Sequence, residues 1–259
     1  NHFFSKKFVL ANIKYDGKHH SINLSSGIDL SIKNDFLENS PLFYGAHHPK
    51  AEPYSVNDFI GDIGHGGSCN VNVVSLNIHC TGTHTESIAH ILDSNELIPD
   101  VCPIGLIPAY LISIDLKSEN QTNDSYHAEL SDNLLITSDS LRKKITTPYE
   151  ALIIRTIPND ISKISRNYDL SPAPFFTNNA VDYINELKIQ HLLVDIPSID
   201  KADDGGELGN HRRFFKQGKT ISELLYIPES IADGFGFLSI QIPNWSLDAA
   251  PSRPIFYPV

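Results

Sequence analysis

Three segments of the sequence decide the fold class: ALIIRT at 151–156, TNNAVDYINELK at 177–188 and HLLVDI at 191–196. The first and third are short apolar runs, which are typical of strands buried on both faces of a sheet. The middle segment has apolar residues at helical spacing and an N-cap at Thr177 or Asn178. A strand, a helix and a strand in this order predict a βαβ unit, in which the two strands pair in parallel.

Segments on both sides of this unit predict further strands and a short helix. Two strand-like runs flank Asp16-Gly17, which is a strong turn signal, and they predict an N-terminal β-hairpin at about 8–24. The alternating segment from Val71 to Ile78 predicts a strand that leads straight into a histidine cluster. The remaining elements are expected to be strands at 109–116, 236–242 and 254–257 and a short helix at 209–217.

The polar stretches 117–133 and 158–174 interrupt this pattern and predict loops. We expect these two loops to line or cover a pocket. The chain has no internal repeat and no linker long enough to separate two domains. The sequence therefore predicts one mixed α/β domain over 1–259.

Charge and cysteine content limit the classes of partner and compartment. The chain of 259 residues has 20 basic and 31 acidic side chains, and its formal net charge is −11. Because this charge repels phosphates, neither nucleic acid nor an anionic membrane is expected as a partner. No apolar run approaches the roughly 18 residues that span a bilayer. Three cysteines are too few for a disulfide scaffold, which predicts a reducing, cytoplasmic location.

A cluster of metal-binding side chains follows the strand predicted at 71–78. Gly82 lies inside the cluster and permits a tight backbone path, so that donors on both sides of it can converge. Imidazole, thiolate and carboxylate groups bind cations such as Zn²⁺ at about 2.0–2.3 Å, which requires such convergence. The cluster therefore predicts a metal site. Its members lie within twelve residues: His79, Cys80, His84, Glu86 and His90.

The segment CTGTHTESIAH at 80–90 resembles the signature of the cyclase family of metal-dependent hydrolases, which includes bacterial kynurenine formamidases and isatin hydrolases. That signature reads His-x-Gly-Thr-His-x-Asp-x-Pro-x-His. The resemblance extends over about 27–259, because further landmarks of the family follow in the same order. These are GIDLS at 27–31, ALIIRT at 151–156, VDIPSID at 194–200, His211-Arg212 with Glu223 twelve positions after His211, and AAPSR at 249–253.

The resemblance implies a fold, a site and a reaction. The fold is a single α/β domain of the swivelling β/β/α type with a mixed sheet, expected as a homo-oligomer. His84 and Glu86 are implied as ligands of Zn²⁺ or Mn²⁺, completed by His211 and Glu223, and His90 as the residue that transfers protons. The implied reaction is hydrolysis of an amide-type C–N bond, in an N-formyl or cyclic amide, by a metal-activated water. The expected partner is therefore a small-molecule substrate.

Three positions depart from the signature. Cys80 stands at the first histidine, with His79 directly before it; Glu86 replaces the aspartate; and no proline precedes His90. Because neighbouring residues of an extended chain point to opposite faces, His79 and Cys80 cannot both bind one metal without a bulge. We favour His79, since open catalytic sites usually keep nitrogen and oxygen ligands. Ligation by the thiolate of Cys80 is the alternative.

Two other functions are compatible with the same residues. One is a metal-free, non-catalytic binding or regulatory protein on the same fold. The other is a hydrolase with Cys80 as the nucleophile and His79 or His90 as its base. A serine hydrolase is not expected, because the sequence has no Gly-x-Ser-x-Gly motif.

Overall fold

A nine-stranded mixed sheet forms the centre of the fold in a computed structural model, which describes residues 8–130, 134–216 and 218–259. The α-helices are α1 (Ile98–Val101), α2 (Ser138–Arg142), α3 (Asn178–Glu186) and α4 (Gly209–Phe214). The strands are β1 (Leu10–Tyr15), β2 (Lys18–Asn23), β3 (Ile28–Asp29), β4 (Lys50–Pro53), β5 (Ser55–Val56), β6 (Phe59–Ile60), β7 (Asn72–Ser75), β8 (His84–Glu86), β9 (Ile107–Asp115), β10 (Lys117–Ser118), β11 (Leu134–Ile136), β12 (Ala151–Ile157), β13 (Phe175–Phe176), β14 (His191–Val194), β15 (Thr220–Glu223), β16 (Gly234–Gln241), β17 (Ala249–Pro251) and β18 (Arg253–Pro258).

The large sheet has a parallel centre and antiparallel edges. Its strand order is β17-β8-β15-β14-β12-β9-β16-β18-β3. The four central strands are mutually parallel, whereas each flanking strand pairs antiparallel with its neighbours. The parallel pairing of β12 with β14 is the βαβ unit predicted from the sequence. The mixed α/β class and the single domain are thereby confirmed.

Strand β12 separates two apolar cores, one on each face of the sheet. Leu152 and Ile154 pack into the core that α2, α3 and α4 cover, while Ala151 and Ile153 pack into the opposite core. All four side chains are fully buried. Because successive side chains of a strand alternate between faces, a strand buried on both faces needs the uninterrupted apolar run seen here.

Helix α3 covers one face of the sheet, as its apolar spacing predicts. Thr177 is the N-cap, and its side-chain oxygen accepts a hydrogen bond from the backbone N–H of Ala180 at 3.2 Å. Such a bond satisfies one of the free N–H groups of the first turn. The apolar residues of the helix lie in the core beside β12: Ala180, Val181, Ile184 and Leu187.

The strand predicted at 71–78 is shorter than expected and does not lead straight into the histidine cluster. Strand β7 ends at Ser75, is exposed along its length and pairs with β4 outside the large sheet. The chain then turns at 78–80, where the backbone N–H of Cys80 donates to the carbonyl of Asn77 at 3.4 Å. The helix predicted at 209–217 ends at Phe214, and Gln217 lies outside the described residues.

The two polar stretches contain more regular structure than the loops predicted from their composition. The first holds β10 and a 3-10 turn at Glu119–Gln121, and its residues 131–133 lie outside the described part of the chain. The second holds a 3-10 turn at Ile161–Ile164. The amino group of the buried Lys163 donates to Asp195 at 2.7 Å and to Thr156 at 2.9 Å, which ties this stretch to the central strands.

The N-terminal segment has the hairpin expected at Asp16-Gly17, with β1 and β2 paired antiparallel from Leu10 opposite Asn23 to Tyr15 opposite Lys18. The full extent of the domain, 1–259, stays a prediction, and residues 1–7 lie outside the described chain. Within the described ranges, no helix combines the length and the apolarity that crossing a membrane requires.

Candidate metal centre

Strand pairing brings the first three side chains of the site together. In the antiparallel pair of β8 and β15, His84 lies directly opposite Glu223. Glu86 lies two residues after His84, so its side chain emerges on the same face. All three side chains are buried. On the other face, the hydroxyl groups of Thr85 and Ser222 lie 2.7 Å apart. The register of two strands distant in sequence therefore puts an imidazole and two carboxylates on one surface.

The Gly-Thr step before His84 fixes the orientation of its imidazole. The carbonyl oxygen of Gly82 lies 3.1 Å from Nδ1 of His84 and accepts its proton, so Nε2 faces Glu223 at 3.6 Å. A side chain at position 82 would collide with Asn34, which accounts for the glycine. The Thr83 hydroxyl accepts a bond from the N–H of Ile32 at 2.7 Å and so ties the motif to the neighbouring chain.

Helix α4 supplies His211, and Asp200 orients it. The carboxylate of Asp200 accepts hydrogen bonds from the backbone N–H groups of Asn210 at 2.9 Å and His211 at 3.0 Å. The same carboxylate lies 2.8 Å from Nδ1 of His211. Because a carboxylate accepts the Nδ1 proton, Nε2 is directed inward, 3.0 Å from Glu86 Oε1 and 3.6 Å from Glu223 Oε1.

Three buried atoms of this group make no hydrogen bond of acceptable geometry among the described residues: His84 Nε2, His211 Nε2 and Glu86 Oε1, although the last two lie 3.0 Å apart. Leaving a buried polar atom unpaired costs about 1–3 kcal/mol, more for a charged group. Donor atoms of His84, Glu86 and Glu223 lie within 4.8 Å of one another. Two imidazoles and two carboxylates that converge in this way suit Zn²⁺ or Mn²⁺, so the residues present fit a divalent cation.

His79 and His90 form a second group on the other oxygen of Glu86. His79 Nδ1 lies 3.1 Å from Glu86 Oε2, and His90 Nε2 lies 3.7 Å from it. The two rings stack with their centroids 4.2 Å apart. The chain leaves β8 through a 3-10 turn at Ile88–His90, which places His90 beside Glu86.

Both His79 and Cys80 line the cavity, although an extended chain would have turned them apart. The turn at 78–80 removes that constraint. Burial raises the pKa of the Cys80 thiol to about 11, and the charges of Glu223 and Asp169 add to the effect. A thiol of this pKa is protonated at neutral pH, which disfavours Cys80 as a nucleophile.

The buried charges of the site stabilise one another. Burial alone would raise the pKa of Glu86, but the charges of His211 and His90 hold it well below its usual range. Burial opposes protonation of His211, yet Glu86 and Asp200 raise its pKa well above the ordinary value. Burial likewise opposes the charge on His79, whereas its hydrogen bonds to Asp248 and Glu86 raise its pKa to about 10.

The site opens into a cavity of about 240 Å³. Its walls are Phe43 and Tyr44 on one side and residues between Pro197 and Leu208 on the other. The expectation that 117–133 and 158–174 line the pocket is wrong for the described residues, since neither stretch contributes to the lining. Each stretch instead supports a wall: the Tyr126 hydroxyl donates to Asp200 at 2.9 Å, and Asp169 accepts from the N–H of Gly45 at 3.0 Å.

Sequence reasoning did not assign two carboxylates that contact the site, Asp200 and Asp248. A signal for Asp200 existed, because it closely follows the buried strand β14, and ligand sites collect at the carboxyl ends of parallel strands. No pattern in the sequence around Asp248 indicates a role in the site. It contacts His79 and His90 only because β17 pairs with β8, and their hydrogen bonds hold the pKa of its carboxyl well below the usual range.

Comparison with known proteins supports the resemblance seen in the sequence. The sequence model of the family described as Cyclase matches residues 28–201, more than half of the chain. The chain belongs to the cyclase family. Among curated relatives from this family, a kynurenine formamidase of Bacillus cereus is 25% identical over 244 residues, which is 91% of this chain and 99% of the relative.

Solved structures agree on the cyclase fold. A potential metal-dependent hydrolase with cyclase activity superimposes with a TM-score of 0.63 at 17% identity, covering 90% of this chain and 98% of that one. An isatin hydrolase bound to the product analogue thioisatinate gives a TM-score of 0.61 at 15% identity, covering 90% and 92%. The fold class implied by the sequence is confirmed by these superpositions.

Proposed function

We propose that this protein is a metal-dependent hydrolase that cleaves an amide-type C–N bond in an N-formyl or cyclic amide. The observation that carries the proposal is the set of buried, unpaired donor atoms on His84, Glu86 and His211. These atoms face one another across a space bounded by the Glu223 carboxylate. The relatives named kynurenine formamidase and isatin hydrolase indicate the substrate class.

The proposed ligands of the cation, Zn²⁺ or Mn²⁺, are His84, Glu86, His211 and Glu223, with His79 as a further ligand. When bound, such a cation activates water for attack and polarises the scissile carbonyl group. The chain orients each ligand from outside the site. Gly82 directs His84 inward through Nδ1, as Asp200 directs His211. Preset ligands of this kind lose little orientational freedom when a cation binds.

His90 is the proposed proton carrier. Its Nδ1 lies 3.3 Å from Asp248 Oδ2, while Nε2 is directed towards Glu86 and the cavity at a distance too long for a hydrogen bond to that carboxylate. Nε2 is therefore available to accept a proton from the attacking water and to return it to the leaving nitrogen. A neutral imidazole suits both transfers, because one of its nitrogens accepts a proton while the other carries one.

The cavity is suited to a small organic substrate. Its volume of about 240 Å³ is bounded by the apolar side chains of Phe43, Pro197 and Leu208 next to the charged donors of the site. Pockets that combine apolar walls with a few placed polar groups are typical of small-molecule sites.

A cytoplasmic location and a homo-oligomeric state remain predictions.

Metal loading is expected to control both stability and activity. Because the proposed ligands come from β8, α4 and β15, a bound cation joins distant segments and stabilises only the folded chain. At a hundredfold excess over Kd the gain is about 2.7 kcal/mol, which raises Tm by about 5 °C or more. Elemental analysis, melting curves with and without EDTA, and hydrolysis assays on N-formyl and lactam compounds measure these effects.

We expect one or more of these amides to be hydrolysed by the metal-loaded protein, with activity lost to EDTA and restored by Zn²⁺ or Mn²⁺. Absence of metal together with an EDTA-insensitive Tm would instead favour the metal-free binding protein on the same fold. Inactivation by iodoacetamide without any effect of chelator would favour Cys80 as nucleophile.

Substitution of two adjacent residues is expected to separate the alternative ligands. His79 belongs to a group of donors with Glu86 and His90 within 4.8 Å, whereas no such group among the described residues includes Cys80. His79→Ala should therefore lower zinc affinity about 10-fold or more, while Cys80→Ser should keep most of it. Competition with a chelating dye measures both affinities.

His65→Ala is the matched control, because this exposed imidazole also pairs with a carboxylate, that of Asp62, at a distance of 2.5 Å. Its zinc affinity should equal that of the unaltered protein. A large loss of zinc affinity in Cys80→Ser, with little change of affinity in His79→Ala, would show that the Cys80 thiolate is the ligand instead.

A further inference from the structure

The stacked pair of His79 and His90 lies between two carboxylates. Glu86 is on the inner side, and Asp248 is on the outer side. A single oxygen of Asp248, Oδ2, lies 3.1 Å from Nε2 of His79 and 3.3 Å from Nδ1 of His90. Asp248 thus contacts Nε2 of the His79 ring and Nδ1 of the His90 ring. Asp248, the two imidazoles and Glu86 together form a closed cycle of four side chains.

This contact determines which nitrogen of each histidine is directed inward. A carboxylate oxygen accepts protons, so the bonds to Asp248 place the N–H of His90 on Nδ1 and an N–H of His79 on Nε2. The nitrogen opposite each bond is then directed to Glu86: Nε2 of His90 at 3.7 Å and Nδ1 of His79 at 3.1 Å. The inner nitrogens are the atoms that the proposed proton transfer and metal binding would use.

The backbone holds Asp248 beside Glu86. Ala249, the next residue, pairs with Glu86 across the β17–β8 ladder, and the N–H of Ser87 donates to the Asp248 carbonyl at 2.9 Å. The side chain is 32% exposed, and within the described chain its hydrogen bonds are to the two imidazoles alone. The Asp248 carboxylate therefore affects the geometry of the site more than the stability of the fold.

We propose that Asp248 is a positioning residue that orients His79 and His90 through one carboxylate oxygen, so that their inner nitrogens are directed to the cavity. The inference rests on the proposed hydrolase function, because it assigns the orientation of the proposed proton carrier. Asp248 itself does not line the cavity and so acts through the two histidines.

Kinetics of three variants test the inference on the metal-loaded protein with formanilide, or with the best amide of the panel if formanilide is not cleaved. Loss of an outer partner of an active-site histidine typically costs about 10–100-fold in activity. Asp248→Asn should therefore lower kcat by about 10–100-fold at saturating metal, with KM changed by less than about threefold. Asp248→Glu should keep kcat within about fivefold of the unaltered protein, because a half-exposed carboxylate can still reach both rings.

Asp233→Asn is the control for a purely structural loss. Asp233 is also 32% exposed and pairs with Arg155 at 3.1 Å, away from the cavity. We expect it to lower Tm without changing kcat. If Asp248→Asn retains kcat within about twofold, or if Asp248→Glu is as slow as Asp248→Asn, the positioning role is wrong.

A second readout does not depend on any substrate. In zinc-loaded protein labelled with ¹⁵N at histidine, long-range ¹H–¹⁵N spectra, assigned with His90→Gln, should show His90 with its proton on Nδ1. In Asp248→Asn, the His90 imidazole should no longer be restricted to this one tautomer. If the unaltered protein cleaves no amide, the proposed function fails, and the spectra still decide the role of Asp248. An unchanged His90 spectrum in Asp248→Asn contradicts the inference.

Discussion

Glu86→Gln is expected to abolish metal binding and hydrolysis together. Glu86 is completely buried and lies close to three of the histidines: Oε2 is 3.1 Å from His79 Nδ1 and 3.7 Å from His90 Nε2, and Oε1 is 3.0 Å from His211 Nε2. An amide removes the negative charge from the centre of the site and turns an N–H₂ group towards at least one imidazole. Because even the loss of an outer partner of a metal ligand costs about 10–100-fold in metal affinity, the loss of a charged ligand should lower zinc affinity by about 100-fold or more.

Competition with a chelating dye and metal content after dialysis measure this loss. Glu186→Gln is the control, since Glu186 pairs with Arg142 at 3.2 Å on the surface, where an ion pair contributes little. This variant should bind zinc and hydrolyse substrate normally. Zinc affinity of Glu86→Gln within about threefold of the unaltered protein would remove Glu86 from the proposed ligand set.

His90→Ala is expected to keep its metal and to lose turnover. His90 Nε2 lies 3.7 Å from Glu86, beyond hydrogen-bonding distance, so the variant breaks no direct bond to a proposed ligand. Loss of general acid–base catalysis costs about 10²–10⁴ in rate. The kcat at neutral pH should fall by this factor, while the zinc content and the KM stay near their original values.

The alternative role for His90 is to orient Glu86, and the two roles differ in what is lost. An orienting residue would show mainly weaker metal binding, by about 10–100-fold. Metal content, substrate binding and kcat of His90→Ala are therefore measured on the same preparation, with His65→Ala as the control, because the His65 imidazole does not line the cavity. Loss of zinc, or turnover within about threefold of the unaltered protein, would show that His90 is not the proton carrier.

The two predictions have one structural basis: Glu86 has two oxygens that face different groups. Oε1 faces His211 and the unpaired donors, whereas Oε2 faces His79 and His90. A change at Glu86 should therefore affect both groups, and a change at His90 only one. Measuring the two variants side by side separates metal binding from proton transfer.

The sequence alone predicted the elements whose signals are local. The run at 151–156 is β12, the helical spacing after Thr177 is α3, and Asp16-Gly17 is the turn of the first hairpin. Burial of one face spaces apolar residues with a period of two in strands and of 3.6 in helices. A few neighbouring residues are therefore enough to recognise the element. The motif at 80–90 likewise indicated the candidate site, because its donors are close together in sequence.

The tertiary structure decided how distant segments meet. His84 faces Glu223 through the register of β8 and β15, and Asp248 reaches His79 through the pairing of β17 with β8. The cavity walls also came from segments that we had not expected to line the pocket. Strand register and loop packing depend on contacts between residues far apart in the chain, and a local pattern of polarity does not encode those contacts.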